Sequence, residues 1–167
     1  MDVLTEYKIP YVGLKEGQHN YVFKVEEPFF KAFEQSQINE AEIDLEVLLD
    51  KKASMVVCDF VFNGKVLQPC DRCTDDLWID IAGKDKMIFK FHGEGEEDES
   101  IAFIPPSQGD IDLAPYVYEF IHLALPLKIS HEDPADCNQE VLEKLERLKP
   151  KVNINPQWEE LLKLKSD

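Results

Sequence analysis

The segment AEIDLEVLLD, residues 41–50, limits the fold more than any other stretch. Ile43, Leu45, Val47 and Leu49 fall at every second position, and acids fill most of the positions between them. A period of two sends alternate side chains to opposite faces, so this is a strand with one dry face and one wet face. Sheets that are wet on one side are built from antiparallel strands, because parallel sheets are covered on both. ASMVVCDFVFNGKVLQP, residues 53–69, reads as a strand, a turn at Asn63-Gly64 and a short strand. Asn-Gly between apolar runs favours a two-residue hairpin. LWIDIAGKDKMIFKF, residues 77–91, gives two further strand runs around Gly83, and EEPFFKAFEQS, residues 26–36, predicts a short helix ahead of these strands.

After residue 111 the period changes. Asp112 is a candidate N-cap with Pro115 in the first turn. Leu113, Val117, Phe120, Ile121 and Ala124 then share one helical face, and Pro126 ends the helix. NQEVLEKLERLKP and NPQWEELLKLK predict two more amphipathic helices, with Asn138 and Asn155 at their starts. Strands followed by helices argue for an α+β protein: an antiparallel, β-rich N-terminal part with C-terminal helices packed on it. The 167 residues suit a single domain. Within it GEGEEDES, residues 93–100, has no apolar periodicity and reads as a mobile acidic loop.

Charge narrows the partners. The net charge is −16, and residues 26–50 and 94–112 supply −14 of it. Such a surface repels nucleic-acid phosphates, which need lysine and arginine to displace counterions. It attracts and steers basic proteins; the plainer alternative is that the acids only keep the chain in solution. No apolar run is long enough to cross a bilayer, and MDVLTEYKIPYV lacks the features of a secretory signal, so the expected location is the cytoplasm. In a reducing compartment the four cysteines read as thiols or ligands.

PCDRCTDDLWIDI, residues 69–81, holds the sharpest chemical signal. Cys70 and Cys73 precede a strand pattern and two aspartates, not the helix start that lowers a thiol pKa in a redox pair. Cys-x2-Cys in a tight turn is also half of a zinc site. SHEDPADC offers a second half, His131 and Cys137. Cys70, Cys73, His131 and Cys137 are therefore candidate zinc ligands; the alternative is that the thiols are small packed residues in a turn. Cys58 lies inside a strand and reads as a buried thiol. Glu119 and His122 share a helix face, but a carboxylate-bundle metal site needs that motif twice. No Ser-His-Asp elbow, P-loop or GxGxxG occurs.

Four pieces occur in order: CDRC at 70–73, IDLAPYVYEFIHLALP at 111–126, HEDPADC at 131–137 and NPQWEELLKLK at 155–165. Together they resemble the YceD-like family, the large ribosomal RNA subunit accumulation proteins. The resemblance covers roughly the last 100 residues by motif. It implies a non-enzymatic binding or assembly factor in ribosome biogenesis, and it carries over Cys70, Cys73, His131 and Cys137. Many members have several more cysteines after the LALP segment, whereas this chain has Cys137 alone there. The implied partner is a basic ribosomal protein or assembly factor. Arg72, Glu96, Glu97, Asp98 and Glu99 are candidate contacts, and the C-terminal segment, with Lys144, Arg147, Lys149, Lys151, Lys163 and Lys165, is a candidate contact for ribosomal RNA. Two rivals remain: a zinc-dependent or thiol enzyme using Cys70 and Cys73, and a zinc-stabilised interaction module of unrelated role.

Overall fold

The computed structural model describes residues 3–91, 100–105 and 107–149. A short strand, β1 (Lys8–Ile9), opens the chain. The main sheet then takes five strands in sequence order: β2 (Gly17–Glu26), β3 (Glu40–Lys51), β4 (Met55–Pro69), β5 (Asp76–Lys90) and β6 (Ile101–Phe103). Each neighbouring pair among the first four is antiparallel, and β6 lies parallel to β5, which makes the sheet mixed at that edge. A second sheet pairs β1 with β7 (Ile111–Asp112). This fold is α+β. The contacts divide the chain into two compact units, Met1–Ser130 and His131–Asp167.

In the first unit the sheet buries one face. Ile43, Leu45, Val47 and Leu49 of β3 are buried, as the alternation predicts, and so are Val56, Cys58, Phe60 and Phe62 of β4. Helix α1 (Glu27–Lys31) sets Phe29 and Phe30 into this core. It is shorter than the stretch 26–36, and the N–H of Ala32 closes it on the carbonyl of Phe29 at 3.2 Å. Helix α2 (Ala114–Leu123) buries Val117, Phe120 and Ile121 against the same face. Phe120 meets Phe60 edge-on at 5.2 Å between centroids, and Tyr116 meets Phe89 at 5.2 Å. Burying each such side chain fully is worth about 1.5–3 kcal/mol. The carboxylate of Asp112 accepts from the N–H of Ala114 at 3.0 Å, so it satisfies an orphan donor at the start of α2, although Leu113 holds the N-cap position.

The expected hairpin at Asn63-Gly64 is not there. Strand β4 runs through both residues, which pair with Asp44 and Ile43 on one side and with Ala82 and Ile81 on the other. A Cβ at Gly64 would stand 2.2 Å from the Glu42 carbonyl oxygen, so the strands approach too closely here for any side chain. Strand β5 likewise continues through Gly83, where a Cβ would meet the Phe62 ring at 2.3 Å. Both glycines answer a close approach inside a long strand, and neither makes a turn. The reversal between β4 and β5 comes at residues 70–75 instead, where the paired cysteines are.

In the second unit a short 3-10 turn, Pro134–Asp136, leads into helix α3 (Gln139–Leu148). The Asn138 side-chain oxygen accepts from the N–H of Val141 at 3.4 Å, which is the cap expected of it. The predicted helix at 155–165 lies outside the described residues, as do Asn155 and the acidic stretch 92–99.

Candidate metal centre

Cys70 and Cys73 sit in the turn that joins the two longest strands. Both are buried, and Arg72 between them is half-buried. The turn is closed by its own backbone: the N–H of Cys70 donates to the Asp75 carbonyl at 2.9 Å, and the N–H of Thr74 donates to the Cys70 carbonyl at 2.8 Å. Thr74 takes a φ of 66°, a left-handed conformation that a β-branched residue seldom adopts. That strain, of order 1–3 kcal/mol, is held by the surrounding bonds. It lets the chain reverse within a few residues with both thiols buried. The N–H of Arg72 points at the Cys70 sulfur at 3.4 Å.

Asp71 fixes where this turn lies. Its N–H donates to the Ile129 carbonyl at 2.7 Å, and its carboxylate accepts from the N–H of Ile129, also at 2.7 Å. The clip bridges 58 positions of sequence and ends two residues before His131. It was not visible in the sequence, where Asp71 is one more acid in an acidic chain.

The other pair is organised around the turn before α3. Asp133 caps that turn by accepting from the N–H of Ala135 at 2.8 Å, and the side-chain amide of Gln139 donates to the carbonyls of Pro134, Ala135 and Cys137. The result holds the Cys137 sulfur 3.6 Å from Nδ1 of His131. Cys137 is buried and His131 is half-buried.

The ligand atoms of Cys70, Cys73, His131 and Cys137 all lie within 4.8 Å of one another, and the group could hold a metal ion. Two thiolates on one tetrahedral zinc, each about 2.3 Å from it, stand about 3.8 Å apart. Three soft sulfur donors and one imidazole are the chemistry zinc selects. All four cysteines are thiols. Cys58 is separate: it is enclosed in the inner face of the sheet, where burial pushes its thiol up to about 12.

The other sequence-derived candidates are less well placed. Glu96, Glu97, Asp98 and Glu99 lie outside the described residues. At α3 two of the cations pair with acids of that helix, Arg147 with Glu143 at 3.4 Å and Lys149 with Glu146. Nδ1 of His122 lies 2.7 Å from the Tyr118 carbonyl and its ring packs on Tyr118, so no shared site with Glu119 forms. No helix among the described residues is long and apolar enough to cross a membrane.

Comparison with known families decides the affiliation. Residues 58–165 match the family described as large ribosomal RNA subunit accumulation protein YceD. The chain belongs to the YceD family. The match takes in well over half of the chain and includes both cysteine-bearing segments and α2. No curated protein and no solved structure gives a match. The family's name ties it to accumulation of the large-subunit ribosomal RNA.

Proposed function

We propose that this protein is a non-enzymatic binding or assembly factor that supports accumulation of large-subunit ribosomal RNA in the cytoplasm, with a structural zinc ion held by Cys70, Cys73, His131 and Cys137. The family membership carries the ribosomal reading. The convergence of four ligand atoms supports the zinc. Bound there, zinc would supply a cross-link between distant segments of the chain. A set of four protein ligands leaves no open coordination position for substrate or water, which is the mark of a structural site. The working partner in this reading is a basic ribosomal protein or assembly factor, with Arg72 and the acidic run Glu96, Glu97, Asp98 and Glu99 among its contacts. A net charge of −16 favours such a partner over RNA.

Two measurements test this. Elemental analysis of the purified full chain should find zinc, and the double substitution Cys70→Ser and Cys73→Ser should release it, because the remaining two ligands hold the ion poorly. A metal-free native protein that folds normally defeats the zinc assignment. Capture from lysate should recover large-subunit assembly intermediates in low salt, with the protein partner remaining bound after nuclease treatment. Loss of all captured protein on nuclease treatment would mean that RNA, not a protein, is the docking partner.

A further inference from the structure

The face of the main sheet away from the core has a pattern that neither the zinc reading nor the family affiliation uses. Strand β3 presents Glu40, Glu42, Asp44, Glu46 and Asp50 there. Three of these meet lysines: Asp44 with Lys24, Glu42 with Lys65 at 3.0 Å, and Asp50 with Lys52 at 3.7 Å. Glu46 has no ion-pair partner among the described residues. Its cross-strand neighbours are Val22 on β2 and Val61 on β4, and the next outward residue along β3 is Leu48. These three aliphatic side chains are 62%, 39% and 37% exposed for Val22, Val61 and Leu48. A carboxylate without an ion pair thus stands beside three aliphatic groups, with the paired Asp44 as its other neighbour along β3, on an open, regular surface.

We infer that this face docks an arginine-bearing extended segment of a basic protein, with Glu46 as its anchor. The occupant follows from complementarity. An arginine laid across the site places its aliphatic stem on Val22 and Val61 and its guanidinium on the Glu46 carboxylate in a two-bond fork. The three aliphatic groups beside it would shield part of that pair from water once the segment is bound. The row of acids along β3 draws the remaining cations and repels nucleic-acid phosphate. The inference gives the basic partner proposed above a surface, but it does not require that partner to be ribosomal.

The test immobilises the full chain and applies two probes: total large-subunit ribosomal proteins freed of RNA, and a synthetic peptide alternating arginine with valine. Glu46→Arg should weaken retention of the peptide at least tenfold, Glu46→Gln and Leu48→Asn should weaken it less, and Glu140→Lys on α3, the charge control, should change it under about twofold. Equal loss in Glu46→Arg and Glu140→Lys would reduce the effect to net charge and overturn the inference, as would failure of the native chain to retain the peptide. Peptide retention that depends on Glu46, with no ribosomal protein retained, keeps the docking face and removes the ribosomal partner. Ribosomal proteins retained regardless of Glu46 keep the partner and remove the face.

Discussion

Leu45 and Glu46 are consecutive on β3, yet they belong to different economies of the molecule. Leu45 is 1% exposed within a layer of aliphatic and aromatic side chains, whereas Glu46 stands in the open on the opposite face. The inner face is uniform in character, closed by α1 and α2, and its energetics are those of packing. The outer face is a mosaic of ion pairs and single apolar groups with shallow relief. Ion pairs exposed in this way contribute little to stability. The same strands therefore carry the fold on one side and leave the other side free to be selected for contact.

That contrast is open to measurement. The largest effect should follow Phe62→Ala, on the inner face, whose ring fills the notch over Gly83. Removing it should cost about 3–5 kcal/mol in denaturant unfolding, and a loss under about 1 kcal/mol would show that the inner face is not close-packed. The next effect is a pH dependence. The Cys58 thiol is pushed from its usual 9.0 up to about 12 by burial, with the neighbouring Asp59 charge adding to the shift. Its raised pKa keeps the folded state protonated, so this contribution is whole below pH 9 and falls as pH rises from 9 to about 12. Within that window the Cys58 contribution falls by about 1.4 kcal/mol per pH unit, and Cys58→Ala should flatten alkaline unfolding curves most clearly between pH 9 and 10, below the range where the Tyr7 hydroxyl, also raised to about 12 by burial, adds its own slope. The smallest effect belongs to the outer face. Lys86→Ala breaks the pair with Asp59 at 3.0 Å and should shift stability by less than about 1 kcal/mol, vanishing in molar salt. A larger shift would mean that this face also holds the fold together.

Where local pattern and tertiary demand agree, the sequence was readable. The alternation of β3, the apolar face of α2 and the Asn138 cap of α3 each follow from period or local hydrogen bonding, and each is present. Asn63-Gly64 misleads because the local hairpin preference of the dipeptide loses to a close crossing with Glu42 that no window of sequence contains. The four ligand candidates were nameable from residue type, but the Asp71 clip to Ile129 joins residues 58 apart and has no local signature. The Glu46 surface had one available signal: Leu48 is an aliphatic residue at a position where the acids of β3 otherwise recur. Its exposed neighbours Val22 and Val61 come from other strands, so the cluster exists only once the register is known.

Gly83 has a consequence for how β4 finds β5. Slippage of this ladder by one rung would turn every core side chain toward water, which the hydrophobic pattern forbids. Slippage by two would preserve the faces and needs another guard. Phe62 would then stand opposite Ile81 or Asp85 instead of Gly83, with a side chain where its ring must lie. The notch at Gly83 thus acts as a tally mark, and the hairpin has one admissible count.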